Sequence, residues 1–312
     1  MKTVICIAMA LLPWTIFGQT YANYYQHINE AKRSILEKKY DQAILAYRTA
    51  FETSDFEFAR DCINASELAA FRREEESTKY FVALALRRGV PLAHFASSSK
   101  YEQFRETDYW KELVNRSDKL QAEYQNALDA ELRAEINAMF AQDQKIRAAH
   151  YKWYNFLWRP LIGRKWEKLN ERQVLRLVEI TKEKGFPGEK LIGIDTEGDH
   201  PKIESDQYSA GMPIVLLIHH YSKPQPSFDS LFREQIWLGN LHNQHYATVC
   251  DFEAKFGKGK FSGDGFYGIS QRPKDKGANY DAKRGKIGLL KREEVKQLGR
   301  AEMLTKFWNL LY

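Results

Sequence analysis

The sequence predicts an all-α protein, with a short stack of helical hairpins at the N-terminus and a second helical domain after it. Three observations lead to this fold class. Apolar residues recur at three- and four-residue steps along most of the chain, small and aromatic residues alternate in an early segment, and no pair of neighbouring strand patterns appears. With 312 residues and 44% hydrophobic content, the chain can form two ordinary domains with substantial cores.

The N-terminus has the pattern of a signal peptide. One lysine precedes an apolar run from Val4 to Phe17, which is shorter than the roughly twenty residues that a membrane span needs. Cleavage can follow Gly18 or Ala22, so the signal peptide is assigned to residues 1–22. We therefore expect an exported protein, periplasmic or extracellular, with no membrane span in the mature chain.

Two cysteines, Cys62 and Cys250, remain after this segment is removed. They fall in the two predicted domains, and one bridge would not make a disulfide scaffold. We expect two buried, unpaired thiols.

Two helices are predicted across residues 23–51, with a turn at the lysine pair that follows the first. The second helix carries Tyr40, Ala43, Tyr47 and Ala50 at spacings of three, four and three, so these residues share one stripe. A neighbouring helix can approach closely over the alanines and place side chains between the tyrosines. Such a hairpin cannot bury its own face and needs further hairpins beside it.

These positions, together with Ala31, resemble the small and aromatic positions of the tetratricopeptide repeat. A weaker second copy lies thirty-four residues later, with Ala65 and Phe81 at matching positions. The resemblance implies a groove that binds an extended or helical segment of a partner protein, and it makes Tyr40 and Tyr47 candidate binding residues. Two repeats make a small groove, so the module could instead only cap the larger domain.

Helix boundaries follow from local signals. Asp41 is placed to cap the second helix, and Gly89 with Pro91 should end the fourth. The next predicted elements are a long helix over 118–149 containing the domain boundary near residue 120, an aromatic segment over 151–166, a helix over 169–184 and a polar loop over 195–209. The apolar run over 211–220 has a length that fits either a buried helix or a buried strand, and we favour a helix because helical patterns surround it. Helices within 228–256, glycine- and lysine-rich loops or a small hairpin over 255–288, and a last helix over 293–311 follow. The predicted domains are therefore 23–120 and 121–312.

The region from about Glu131 to Gly299 resembles a family of bacterial domains with no assigned function. The matching points are Asp143-Gln144, Arg147, Gly185-Phe186-Pro187, Gly193, His220, Asp251, Tyr267-Gly268, Arg284 and Gly288-Leu289. The chain departs from that pattern at His219, Phe252 and Ile269-Ser270, and the aromatic segment around Trp158 and the loop after Asp195 look like insertions. The resemblance implies no particular reaction.

Several polar residues could support chemistry. His220, Asp251, Tyr267 and Arg147 are the candidate catalytic residues of a hydrolase-type site, and His219, His220, His242 and His245 are the candidate metal ligands. The competing interpretation is that the histidines are packed and hydrogen-bonded, and on that interpretation no cofactor is expected. Asp143, Gln144 and Arg147 lie within one helical turn, where they could hold an anion or form a structural ion pair; Arg284 is a further candidate binding residue.

The positive charge belongs to the C-terminal part. Residues 251–312 contain fourteen Lys and Arg against eight Asp and Glu, which accounts for the whole formal charge of +6. The loop over 255–268 could cradle an anion, although it lacks the ending of a phosphate-binding loop. Nucleic acid is excluded as a partner of an exported protein, whereas acidic glycans and lipid head groups stay open.

Two functions therefore compete. In the first, the chain is an exported scaffold that binds a protein or peptide segment. In the second, its C-terminal domain is a hydrolase that uses a His/Asp site, with or without a metal. An enzyme predicts that His220, Asp251, Tyr267 and Arg147 converge on one solvent-reached pocket, and a scaffold predicts that they are scattered or sealed by packing.

Overall fold

The protein is all-α, as the sequence predicts. The computed structural model describes residues 12–195, 208–221, 228–256, 266–269 and 280–305, and within these ranges it contains no β-strand. The first residues of the predicted signal peptide, most of the polar loop, most of the glycine- and lysine-rich loop and the end of the last predicted helix lie outside the described residues.

The described chain forms fourteen α-helices and two short 3-10 turns. The helices are α1 (Leu12–Leu36), α2 (Tyr40–Glu52), α3 (Ala59–Arg72), α4 (Glu75–Arg87), α5 (Leu92–Ser97), α6 (Asp108–Ala127), α7 (Ala130–Tyr151), α8 (Arg159–Lys184), α9 (Glu189–Ile192), α10 (Met212–Tyr221), α11 (Asp229–Trp237), α12 (Asn243–Phe256), α13 (Tyr280–Gly285) and α14 (Arg292–Thr305). The 3-10 turns are Ser99–Phe104 and Trp153–Asn155.

The first helices pack against one another in chain order. Helix α1 packs on α2, α2 on α3, α3 on α4, and α4 on α6. The predicted stripe of α2 points into this stack, since Ala43, Tyr47 and Ala50 are fully buried. Small residues at these positions let the helix axes approach, and the tyrosine ring fills the space between them.

Helix α2 begins one residue before the predicted cap. Its N-cap is Lys39, which makes no side-chain capping bond, and Asp41 lies inside the first turn, where its carboxylate pairs with Arg72 at 3.2 Å. The prediction that Asp41 caps the helix is therefore wrong. The end of α4 is as predicted, because Gly89 follows the helix with a φ of +90° and Pro91 starts the next one.

The long helix predicted over 118–149 is two helices. Leu128 adopts an extended conformation after α6, and the Asp129 carboxylate then accepts a bond of 3.0 Å from the amide of Leu132 to start α7. An Asp that caps a new helix competes with helix continuation, and here the cap wins over an unbroken apolar periodicity. A further correction concerns the segment before Gly288, where Tyr280–Gly285 forms helix α13.

The C-terminal half is built around α10. This apolar helix packs on α7, α8 and α12. The sequence left helix and strand open by length and favoured helix, which the structure confirms. Helix α8 starts ten residues before the predicted one, at Arg159, and ends at Gly185 with a φ of +95°.

One hydrophobic core continues across the predicted domain boundary. Residue 120 lies within α6, and α1 packs on both α11 and α14 of the C-terminal half. Tyr21 lies against Gly239, where a Cβ would come within 1.9 Å of the tyrosine ring, and Tyr25 lies against Gly288 in the same way at 2.8 Å. Glycines at these two turns let the tyrosines of α1 seat in the C-terminal half.

Cys62 and Cys250 are both buried and form no disulfide with each other, as predicted. Within the described ranges, no helix combines the length and the apolar character that crossing a bilayer would require.

Candidate functional site

The α7–α8 hairpin, in the half nearer the connection between its two helices, holds the closest histidine–carboxylate pair in the described C-terminal half. The carboxylate of Asp143 has no exposed surface and lies 2.7 Å from Nδ1 of His219. It also accepts hydrogen bonds from Nε1 of Trp166 at 2.7 Å and from the side-chain amide of Gln144 at 2.9 Å. Helices α7, α8 and α10 each supply one of the three principal side chains.

This arrangement fixes the orientation of the imidazole. A carboxylate that accepts from Nδ1–H leaves Nε2 of His219 as the basic nitrogen. The side chain keeps about one-sixth of its surface exposed. A histidine held in this way can act as a general base, which is the chemistry that the sequence assigned to other residues.

Arg147 is not part of this pair. Its guanidinium reaches Gln144 at 3.5 Å and lies over the ring of Tyr151, 5.8 Å from its centre. The predicted ion pair with Asp143 is absent from the described contacts of Arg147, because the Asp143 carboxylate turns inward to Trp166 and His219. Asp143 therefore binds two ring nitrogens where sequence spacing indicated a guanidinium.

Asp251, Tyr267 and Arg284 form a structural clasp. The Asp251 carboxylate accepts from the backbone amides of Tyr267, Gly268 and Ile269 at 2.6, 3.0 and 2.6 Å. Arg284 donates to the carbonyls of Tyr267 and Leu290 at 2.7 and 2.5 Å. All three side chains are buried, so the clasp holds a loop in place and offers no open surface to a substrate.

His220 is buried in α10, and burial lowers its pKa to about 4. The ring is therefore neutral at pH 7, which suits a packed histidine. Of the four predicted catalytic residues, His220, Asp251 and Tyr267 are sealed inside, whereas Arg147 is exposed on α7.

His242 and His245 belong to a different neighbourhood from His219. The ring of His242 packs edge-on against Tyr25 and Phe58, and Nε2 of His245 accepts from Arg60 at 3.3 Å. Among the described residues, no group of three or more His, Cys, Asp or Glu side chains is arranged to hold a metal ion.

A small polar cavity lies between α1, α3 and the C-terminal half. Its volume is about 30 Å³, enough for one or two water molecules, and its lining includes Lys32, Asp61, His242 and Asn243. The carboxylate of Asp61 accepts from the hydroxyl of Tyr24 at 2.8 Å. Burial lowers the pKa of Lys32 and lowers that of His242 well below its usual value.

Glu189 completes this buried polar junction. One of its oxygens accepts from the amide of Ala59 at 3.0 Å, and the other has no hydrogen-bond partner among the described residues. Burial raises its pKa to about 7. Sequence reasoning missed Lys32, Asp61 and Glu189, since each looks like an ordinary helix-surface residue when its partners in distant segments are unknown.

A larger depression lies at the turn between α1 and α2. Its volume is about 230 Å³ and it is open to solvent, and it is lined by Lys38, Lys39, Tyr40, Asp41, Gln42 and Arg72. The ring of Tyr40 packs edge-on against Phe71 at 5.3 Å and lies 5.8 Å from the guanidinium of Arg72. Tyr47 has no exposed surface and cannot contact a partner in this conformation.

The connection between α7 and α8 carries a group of exposed apolar side chains. We call residues 151–161 the aromatic tip; its exposed members are Tyr151, Trp153, Tyr154, Phe156, Leu157, Trp158 and Leu161. The sequence shows this aromatic cluster but gives no sign of its exposure, because the same residues would be typical of a core.

Neither a protein-family model, nor a curated protein, nor a solved structure matches this chain. The two resemblances noted in the sequence therefore remain predictions, and any function must be argued from the described residues themselves.

Proposed function

We propose that this chain is an exported binding scaffold, in which a helical N-terminal module is fixed to the C-terminal helical half and binds a segment of a partner protein. The supporting observation is the placement of the candidate catalytic residues. His220, Asp251 and Tyr267 are sealed by packing, whereas Arg147 is exposed elsewhere on the hairpin. This is the arrangement that a scaffold predicts and that an enzyme using these four residues does not.

The partner site proposed here is the outer depression around Tyr40, because the inner face of the module is already covered. Every residue from Ala59 to Ala70 of α3 is buried. The C-terminal half contributes to that covering through Glu189, which binds the amide of Ala59, and through His245, which contacts Arg60. A segment that docked along α3 would first have to displace these contacts.

The chemistry of the depression favours an acidic segment that carries an apolar residue. At the rim Arg72 pairs with Asp41 and Lys39 pairs with the neighbouring Glu37, and Lys38 adds one further positive charge. A pocket of about 230 Å³ is smaller than a typical small-molecule site and fits one or two anchoring side chains. An apolar anchor can pack on the Tyr40–Phe71 pair while its acidic neighbours meet the basic rim.

Export forms part of this proposal, and Tyr21 favours one of the two cleavage positions. Its hydroxyl donates to the carboxylate of Asp55 at 2.8 Å and to the carbonyl of Phe56 at 3.1 Å, and its ring is buried. Cleavage after Gly18 keeps these contacts, whereas cleavage after Ala22 would remove them. We propose cleavage after Gly18, and N-terminal sequencing of the exported chain tests it.

Site-specific photo-crosslinking tests the partner site. A photoreactive residue at Gln42, which is exposed in the depression, should give a covalent adduct with one partner protein in the producing cells. The variant Lys38→Glu/Arg72→Glu should reduce that adduct about tenfold, because it reverses two charges at the rim. An excess of an acidic peptide containing one phenylalanine should also reduce it.

The matched control places the same photoreactive residue at Lys182, an exposed position on α8. The proposal predicts no specific adduct there. Equal adducts at both positions, or an adduct at Gln42 that is indifferent to the charge reversal, would refute the depression as the partner site.

The His219–Asp143 pair supports a second candidate function, a hydrolase-type activity. The hydrogen bond from Trp166 holds the Asp143 carboxylate in place. The distance of 2.7 Å from that carboxylate to Nδ1 of His219 then fixes both the orientation and the tautomer of the imidazole. The candidate differs from the sequence hypothesis in its residues, since His219 replaces His220 as the base.

A panel of chromogenic carboxyl, phosphoryl and glycosyl esters tests this candidate. Hydrolysis that His219→Ala abolishes, while His27→Ala leaves it unchanged, would support an enzyme. Activity that is absent from the wild type, or equal in His219→Ala, would leave the pair with a structural role only. His27 is a suitable control because its imidazole contacts only the exposed Glu30 among the described polar side chains, at 3.1 Å.

A further inference from the structure

The aromatic tip exposes more apolar surface than any other described segment. Trp153 is 81% exposed, Leu157 72% and Phe156 61%. The other exposed large hydrophobic residues, such as Leu45, Val114 and Leu175, occur singly. Single exposed apolar residues are normal on a folded protein, but a contiguous group of seven marks a surface that contacts something else.

The tip is displayed by a braced hairpin. Helices α7 and α8 pack side by side, with Arg176 bonded to Glu135 at 2.7 Å and Gln173 bonded to the carbonyl of Met139 at 2.6 Å. The side-chain amide of Asn155 closes the turn by donating to the backbone carbonyl of Ala149 at 2.7 Å. Two long helices therefore hold the exposed rings at one end of the hairpin, where they protrude as a group.

Positive charge surrounds the tip. Residues 144–166 contain six Lys and Arg and no Asp or Glu, and all six are exposed: Lys145, Arg147, Lys152, Arg159, Arg164 and Lys165. None of the six forms an ion pair with a carboxylate in the described part of the chain. Two of them lie over tip rings, Arg147 over Tyr151 at 5.8 Å and Lys152 over Tyr154 at 5.7 Å.

We propose that the aromatic tip inserts into the interface of a membrane that contains anionic lipids, and anchors the protein there without crossing the bilayer. Trp and Tyr rings combine an apolar body with a polar edge and are enriched where hydrocarbon meets water. Lys and Arg side chains beside them reach the lipid phosphates and add electrostatic attraction to an anionic surface. This surface is separate from the Tyr40 depression, so neither proposal depends on the other.

Charge decides between a membrane and other occupants. A second copy of the tip would bring two sets of six unpaired cations together, which costs free energy. A protein groove would have to be both apolar and rimmed with acidic residues to match the tip. An anionic lipid interface supplies both properties over a continuous and deformable area.

Vesicle flotation with the full chain tests the proposal. The probes are vesicles of phosphatidylcholine alone and vesicles in which phosphatidylglycerol replaces about one third of it. We expect the protein to float with the anionic vesicles. Its binding to the neutral vesicles should be at least about tenfold weaker, because the six cations have no anionic head groups to contact there. Binding to the anionic vesicles should weaken as salt rises from about 0.1 M to about 1 M, which shortens the Debye length from about 10 Å to about 3 Å.

The test variant replaces four tip residues, Trp153→Ser, Phe156→Ser, Leu157→Ser and Trp158→Ser, in one chain. It should bind anionic vesicles at least about tenfold more weakly than the wild type, since it loses most of the insertable surface. The control variant, Leu45→Ser/Leu175→Ser, removes exposed apolar residues elsewhere and should bind like the wild type. The wild type and every variant carry the same N-terminus, so any contribution from it is common to all of them.

A charge variant, Lys152→Glu/Arg159→Glu, separates the two contributions. It should weaken binding to anionic vesicles about tenfold and leave the weak binding to neutral vesicles unchanged. The proposal is overturned if the wild type does not float with anionic vesicles, or if the four-serine variant floats equally well. It is also overturned if analytical ultracentrifugation shows a wild-type dimer that the four-serine variant abolishes, because the tip would then bind a second copy.

Discussion

Most polar side chains of a folded protein are exposed and most large apolar ones are buried, and two regions of this protein depart from that rule in opposite ways. At the junction beneath α3, charged and polar side chains including Lys32, Asp61, Glu189 and His242 are buried. At the aromatic tip, tryptophan, phenylalanine and leucine side chains are exposed. Burying the polar side chains of the junction costs solvation free energy. The apolar side chains of the tip stay in water, so the free energy that their burial would provide is not gained.

The difference separates residues that hold the fold from residues that are free to bind. Asp61 and Glu189 at the junction each accept a hydrogen bond from another segment of the chain, so removing either carboxylate leaves a buried donor without its acceptor. The exposed side chains of the tip have few neighbours to lose. Perturbed pKa values alone would have marked the junction as a functional site, yet its cavity of about 30 Å³ has room for only one or two water molecules.

The largest effect on stability is expected at Asp61. Replacing it with alanine leaves the hydroxyl of Tyr24 without its acceptor and leaves the buried ammonium of Lys32 without its nearest negative charge. We expect the free energy of unfolding to fall by about 4 kcal/mol, because a buried hydroxyl loses its charged acceptor and the charge on Lys32 loses its compensation. Urea unfolding followed by circular dichroism measures it.

The double variant Asp61→Ala/Lys32→Met sharpens this prediction. Removing the second charge should restore about half of the lost stability, because methionine needs no counter-charge. The exposed change Asp118→Ala serves as the control and should stay within about 0.5 kcal/mol of the wild type. If the double variant is less stable than Asp61→Ala, the two charges do not compensate each other.

Glu189 predicts a pH dependence of stability. Its pKa in the folded protein is about 7, against a usual value of 4.5, so between these pH values the unfolded chain releases a proton that the folded protein keeps. The free energy of unfolding therefore falls as pH rises through this window, by about 3 kcal/mol for this group. Below pH 4.5 the penalty is absent, and above pH 7 it is complete.

The variant Glu189→Gln isolates this contribution, because glutamine keeps an oxygen for the amide of Ala59 and does not ionise. The stability of the variant relative to the wild type should rise by about 3 kcal/mol between pH 4.5 and pH 8. The matched change Glu179→Gln on the exposed face of α8 should show no such trend. Parallel pH profiles for the wild type and Glu189→Gln would mean that Glu189 is ionised in the folded protein.

An intermediate effect is expected at Trp166, which lies on α8 near the tip, where its ring packs against Tyr151. Trp166→Phe keeps an aromatic ring but removes the hydrogen bond of 2.7 Å to the buried carboxylate of Asp143. We expect a loss of about 2 kcal/mol, typical of a hydrogen bond to a charged group. Trp158→Phe at the exposed tip is the matched control, and an equal loss in both variants would remove the distinction between a hydrogen-bonded and an exposed tryptophan.

Much of the fold could be predicted from the sequence, because helix periodicity and caps are local. The all-α class, the buried stripe of Tyr47 and the helix ending before Gly89 all depend on residues within a few turns of one another. The break at Asp129 was missed, since the apolar periodicity continues across it and the cap is a single side chain. Local competition of this kind leaves a weak mark on the sequence.

The candidate sites were less predictable, because they join distant segments. Asp143 and His219 lie seventy-six positions apart and meet only because α10 packs on α7. The sequence analysis selected both residues as candidates but predicted that Asp143 pairs with Arg147, its neighbour in the same helix. The exposure of the tip depends on what α7 and α8 do not pack against, and no local pattern reports that.

The smallest effect on stability is expected at the aromatic tip itself. The four-serine variant (Trp153, Phe156, Leu157 and Trp158 to serine) removes side chains that are at least 60% exposed. Because little apolar surface is buried there in the folded protein, the free energy of unfolding should change by no more than about 0.5 kcal/mol. Far-ultraviolet circular dichroism in urea measures this without relying on the removed tryptophans.

An unchanged stability of the four-serine variant is informative because Asp61→Ala at the junction is expected to be strongly destabilising. If four apolar side chains can be removed without cost while one buried carboxylate cannot, then the tip contributes to something other than folding. A loss above about 2 kcal/mol would mean that the tip packs against the rest of the chain in solution, and its residues would then belong to the core. In that case the contrast between the two regions would disappear, together with the reason for assigning the tip to a membrane interface.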